Sequence, residues 1–150
     1  MKWNDSEYRS ITDKIIKAFY KIHNQLGPGL LEQAYHRALF IELSKELKVA
    51  SEKEFSVMYE NQEVSKYIPD LLIEEKIIVE VKAVKELNEE HKAQLISQLR
   101  VSETLIGFLV NFAKKNLEFK RFDNFYQIER KGLSLEEKGF FKLTGMEREC

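Results

Sequence analysis

The stretch Ile77-Ile78-Val79-Glu80-Val81-Lys82-Ala83 constrains the fold of this chain more than any other. A short run of mostly β-branched residues reads as a buried strand. Side chains alternate on a strand, so Ile78, Glu80 and Lys82 share one face, and Ile77, Val79, Val81 and Ala83 share the other. A carboxylate and an ammonium are thereby set among apolar residues, which is costly unless each is compensated. Compensation takes one of two forms. Either the two ions satisfy each other and fix the register, or they face a metal ion and a phosphate at the edge of the sheet.

The preceding residues supply a neighbour. Residues 64–73 read as one long strand, with Pro69 marking an edge or a bulge because proline cannot donate to a ladder. Glu74-Glu75-Lys76 is a tight connection, so the two strands are antiparallel neighbours. With the turn centred near residue 75, Asp70 comes opposite Glu80 at comparable depth. Asp70 should share its face with Ile68 and Leu72.

The rest of the chain supplies layers. Ile11, Ile15, Phe19, Ile22 and Leu26 mark one helical face over 11–26, with Ser10 and Asp13 as a capping pair. Gly27-Pro28-Gly29 ends that helix. A second helix runs over about 30–47, and its Glu32 lies in the first turn, where the helix dipole favours a carboxylate. Residues 55–59 alternate as a strand. Asn88-Glu89-Glu90 starts a helix that runs to about Glu103 and sets Gln94 and Gln98 on one face. Residues 105–112 are nearly all apolar and predict a central strand, and 117–122 alternate beside it. Ser134 and Glu137 could cap a short helix. The predicted order is α-α-β-β-β-α-β-β, a mixed α/β sandwich with a right-handed crossover through the third helix.

Glu-x-Lys is common in a chain that is 33% charged, recurring at Glu46/Lys48, Glu74/Lys76, Glu118/Lys120, Glu129/Lys131 and Glu136/Lys138. Only Glu80/Lys82 has apolar flanks on both sides and an Asp on the adjoining strand. Two carboxylates one strand apart suit a hard divalent cation such as Mg²⁺, bound through oxygen. The metal would polarise a phosphoryl oxygen and acidify water, and the lysine would orient that water or meet the developing charge. An ion network that only fixes register fits the same residues, and both readings stay open at this point.

Other chemistries find less support. His23, His36 and His91 lack metal-ligand spacing with one another. No Gly-rich phosphate loop and no serine or cysteine nucleophile pattern is present. The single cysteine, Cys150, excludes an intramolecular disulfide and a cysteine zinc site. Net charge is −1, so overall balance does not advertise nucleic acid, although Lys114, Lys115, Lys120 and Arg121 gather near one strand. With no signal-like leader and no long apolar run, a cytoplasmic protein without membrane association is expected.

Pro69-Asp70 followed by Glu80-Val81-Lys82 resembles the signature of the PD-(D/E)XK nuclease superfamily. Gly29-Leu30-Leu31-Glu32-Gln33-Ala34-Tyr35 is similar to the pattern that names its GxxExxY branch. The segments 67–72, 78–83, Ala93-Gln94-Leu95 and 107–112 resemble that branch in the same order. The resemblance implies a restriction-endonuclease-like fold over residues 1–122, with 123–150 a C-terminal extension carrying a short docked helix or partly disordered. It implies a Mg²⁺- or Mn²⁺-dependent nuclease acting on DNA. Asp70 and Glu80 would be the principal metal ligands, joined by the Val81 carbonyl and by Glu32. Lys82 would be the catalytic lysine, and Gln94 would hold the site or contact a phosphate. Related nucleases often carry Tyr where Gln98 stands here. The alternative is a catalytically silent nuclease fold that binds nucleic acid or a protein partner. A domain this small has a limited grip on a duplex, which makes a homodimer the expected assembly.

Overall fold

The computed structural model describes residues 5–124 and 147–149. Helix α1 (Asp5–Leu26) carries the apolar stripe and starts before residue 11. Tyr8 is the reason: it is buried and continues the three-and-four spacing of Ile11, Ile15, Phe19 and Ile22 toward the N-terminus. Ser10 and Asp13 therefore lie inside the helix and do not cap it.

Gly27 and Gly29 take φ values of +67° and +109°, which side chains disfavour, and so turn the chain out of α1. Extended Leu31 then leads into α2 (Glu32–Ser44). Tyr35 fastens this turn from inside. Its hydroxyl donates to the Gly27 carbonyl at 2.6 Å and accepts from Leu30 N–H at 3.1 Å. Its ring stacks on Phe112, 4.7 Å centroid to centroid.

The strand region holds more breaks than the sequence announces. β1 (Val49–Ala50) is too short to carry an alternation signal. β2 (Phe55–Tyr59) and β3 (Gln62–Tyr67) form a separate two-stranded sheet, with a register shift between Val57 and Met58. β4 (Leu71–Ile73) and β5 (Ile77–Lys82) then enter the main sheet. The single strand expected over 64–73 is thus two strands in two sheets. Pro69 sits in the gap, because a residue without N–H cannot extend either ladder. Asp70 accordingly lies just before β4 and not within a strand shared with Ile68.

Asn88 caps α3 (Glu89–Ser102) as the sequence predicts: its side chain accepts from His91 N–H at 2.9 Å, and His91 Nδ1 accepts from Asn88 N–H in return. β6 (Ile106–Asn111), β7 (Glu118–Asp123) and β8 (Glu147–Glu149) complete a six-stranded sheet ordered β1-β4-β5-β6-β7-β8. β5 and β6 are parallel through the α3 crossover, and β4–β5, β6–β7 and β7–β8 are antiparallel. The short helix expected near Ser134 lies outside the described residues.

Helices cover both faces, giving the α/β, restriction-endonuclease-like arrangement. Ile77, Val79 and Val81 pack with α1 and α2 around Phe19, Tyr35 and Leu39. Ile78 faces the other way, into Leu72, Leu95, Leu99, Leu109 and Phe122, with Phe55 and Tyr67 against them. The helix α3 comes close at Gly107, where a Cβ would lie 3.0 Å from a Leu99 methyl. Among the described residues no helix is long and apolar enough to cross a membrane.

Candidate active site

The site forms where two strands part. β4 pairs with β5 only from Leu71–Val79 to Ile73–Ile77. Beyond that point the chain peels away toward β3, and the edge of β5 at Glu80, Val81 and Lys82 loses its strand neighbour. Side-chain groups take over the vacated hydrogen bonds. The Asp70 carboxylate accepts Val81 N–H at 2.8 Å, and Asp70 N–H reaches Glu80 Oε1 at 3.4 Å. Register extended by one residue thus sets Asp70 and Glu80 side by side.

Glu80 is 9% exposed. Its second donor comes from outside the main sheet: Tyr67 Oη donates to Oε1 at 2.6 Å. Burial, and then the charge of Asp70, push the Glu80 carboxyl up to about 8, while the bonds from Tyr67 and from Asp70 N–H pull against that rise. Burial and the charge of Glu80 push the Tyr67 phenol far above its ordinary range, so it remains a donor.

Lys82 does not compensate Glu80. It is half-buried on the same face, and among the described residues no salt bridge links it to either acid. The register-fixing Glu80–Lys82 ion pair, one of the two readings of this strand, is therefore absent. Side chains two apart on a strand stand roughly 7 Å apart, too far for direct contact unless both bend.

The remaining expected residues sit further out. Glu32 is exposed at the start of α2. Among the described residues no three His, Cys, Asp or Glu side chains gather closely enough to hold a metal ion, so Glu32 does not join Asp70 and Glu80 in a three-acid cluster. The helix nevertheless meets the site one turn later, where His36 Nε2 lies 2.9 Å from the Asp70 carbonyl. Gln94 is exposed on α3, beside Glu90, Ala93, Ser97 and Gln98 in a shallow surface hollow.

Asn111 supports the lysine end. It is fully buried opposite Lys82 in the parallel register. Its Oδ1 accepts Val84 N–H at 3.0 Å and Ala113 N–H at 3.2 Å. Its Nδ2 donates to the Val84 carbonyl at 2.9 Å and to Glu118 Oε1 at 3.2 Å. The chain leaving Lys82 is thereby tied to the end of β6. Asn111→Ala is expected to lower stability by about 2–3 kcal/mol, because it strands buried partners. Urea denaturation measures this, and a loss below about 0.5 kcal/mol would mean water replaces the amide.

The sequence assigns no role to His36, Tyr67 or Asn111, although the last two lie in segments 67–72 and 107–112. Asn111 leaves the clearest signal, an amide in an apolar strand. Tyr67 and His36 leave only spacing: three residues before Asp70, and four after Glu32.

A hard divalent cation fits the donor set. Two carboxyl groups stand together, and burial with the charge of Asp70 disfavours ionisation of Glu80. Phe112 N–H occupies the Lys82 carbonyl on the β6 side. Successive carbonyls alternate along a strand, so that of Val81 points to the open edge near Asp70. Oxygen ligands of this kind suit Mg²⁺ or Mn²⁺.

None of the curated proteins matches the chain. Residues 9–122 match the PD-(D/E)XK nuclease superfamily, a span that runs from α1 to within one residue of the end of β7. With Pro69-Asp70 at the parting of the strands and Glu80-Val81-Lys82 on the edge of β5 that β4 leaves unpaired, the chain belongs to the PD-(D/E)XK nuclease superfamily.

Proposed function

We propose that the protein is a Mg²⁺- or Mn²⁺-dependent nuclease that hydrolyses phosphodiester bonds of DNA, of the GxxExxY branch. The observation that carries this reading is the Asp70–Glu80 pair, two carboxyl groups held together at an open strand edge without a cationic partner among the described residues. Branch membership rests on Gly29, Glu32 and Tyr35. The catalytic unit is assigned to residues 1–122 and the extension to 123–150. A single cysteine accords with a cytoplasmic setting.

Asp70, Glu80 and the Val81 carbonyl would hold the metal, while Glu32 at the start of α2 stands apart from that pair. The chemistry supplied by the bound ion is polarisation of a phosphoryl oxygen and activation of water. Lys82 presents its ammonium on the same face, where it orients the attacking water or meets charge developing on the phosphate. Gln94 leaves its amide available to a phosphate oxygen.

The test is incubation with single-stranded, duplex and branched DNA and Mn²⁺, beside Asp70→Ala. The expected result is cleavage by the wild type and a loss of at least about a hundredfold in the variant. That estimate takes the effect of losing a ligand's own support as its lower bound. Cleavage that persists undiminished in Asp70→Ala sinks the reading.

The lack of a three-acid cluster among the described residues favours a second reading, a catalytically silent fold that binds nucleic acid or a protein. It predicts no Mn²⁺ heat in calorimetry but salt-sensitive retention of DNA or a specific protein partner.

A further inference from the structure

We infer that Tyr67 is a positioning residue for the metal site, fixing the orientation of the Glu80 carboxylate and coupling it to the seating of the β2–β3 hairpin. This rests on the reading of Asp70 and Glu80 as ligands of a divalent cation.

Both donors to Glu80 fall on Oε1, Tyr67 Oη at 2.6 Å and Asp70 N–H at 3.4 Å. The Asp70 carboxyl also meets the Glu80 carboxyl side chain to side chain, which sets the two acids together. The terminal torsion of a glutamate is broad and does not hold an orientation by itself. The hydroxyl is the shorter of the two contacts, so it does most to hold it. Tyr67 is itself held. Its ring stacks on Phe55 at 6.3 Å and packs against the Leu72, Ile78 and Leu95 cluster. Phe55 and Tyr67 are cross-strand partners in the two-stranded sheet. The orientation of an acid in the main sheet therefore depends on an element outside it. Partners that hydrogen-bond a ligating carboxylate typically change metal affinity tenfold to a hundredfold.

The experiment is Mn²⁺ titration of the full chain by calorimetry, with the Mn²⁺ resonance spectrum recorded alongside, for wild type, Glu80→Ala and Tyr67→Phe. Tyr67→Phe keeps the ring and removes only the hydroxyl. The expected result is Mn²⁺ binding by wild type, none by Glu80→Ala, and about tenfold to a hundredfold weaker binding with an altered spectrum for Tyr67→Phe. A purely structural tyrosine would lower the melting temperature and leave affinity and spectrum unchanged, which overturns the inference while the metal site stands. Wild type without Mn²⁺ affinity removes the underlying reading instead. Should Tyr67→Phe fail to fold, Phe55→Leu carries the test, since it keeps the hydroxyl and loosens its support. Unchanged affinity there overturns the coupling.

Discussion

Glu80→Gln is expected to make the metal-free protein more stable than wild type at pH 8 and to remove its Mn²⁺ affinity. The folded carboxyl is pushed from 4.5 up to about 8 by burial first and then by the charge of Asp70. Between those two pH values the folded chain holds a proton that the unfolded chain has released. Stability therefore falls as pH rises across this window, and the full contribution is present only below about pH 4.5. By pH 8 the loss amounts to about 3–5 kcal/mol. Glutamine resembles the protonated acid in shape and accepts the same Tyr67 hydrogen bond, but it never ionises. Urea denaturation in EDTA at pH 5 and pH 8 separates the cases: the variant should gain at pH 8 and converge with wild type toward pH 5. Saturating Mn²⁺ should restore wild type at pH 8 and do nothing for the variant. A variant no more stable than wild type at pH 8 would show that neither burial nor the charge of Asp70 disfavours the Glu80 carboxylate.

Lys82→Ala should act on turnover and spare the metal. The lysine shares the Glu80 face but contacts neither acid, so its ammonium contributes little to ligand geometry. Removing a charge aimed at a developing oxyanion costs about a hundredfold to a thousandfold in rate. Single-turnover cleavage at saturating Mn²⁺ should fall by that factor, while calorimetric Mn²⁺ affinity stays level or rises with the loss of a nearby positive charge. An affinity that collapses with the rate would make Lys82 a support of the metal site and not a participant in the reaction.

Much of this arrangement is legible in the sequence because strand alternation and turn length are local properties. Ile77 to Lys82 announces its two faces, and the short Glu74–Lys76 turn fixes the register that brings Asp70 to Glu80. Asn88 marks the start of α3 without help from tertiary structure. What stays hidden depends on contacts distant in sequence. Pro69 reads as an edge or a bulge within one strand, and only the second sheet shows it to be a boundary. Tyr8 extends α1 because a core awaits it. Tyr35 belongs to a recognisable pattern, yet its part in fastening the Gly27–Gly29 turn requires knowing that the chain folds back beneath it. Tyr67 looks like one more aromatic in an alternating strand until the hairpin is seen to lean on the sheet.

The division into two sheets has a consequence for how the molecule breathes. β5 and β6 lie in the middle of the main sheet, and their amides open only when much of the domain unfolds. Among the described residues β2 and β3 pair only with each other, most of β3 is exposed, and a two-stranded sheet has little to resist local opening. Glu80 and its hydroxyl partner thus belong to opposite ends of the local-opening scale. Opening of the hairpin would release the Tyr67 side of the site and leave β5 in place. A central scaffold and a peripheral arm meet at the Tyr67–Glu80 hydrogen bond of 2.6 Å and at the packing of Phe55 and Tyr67 on the core.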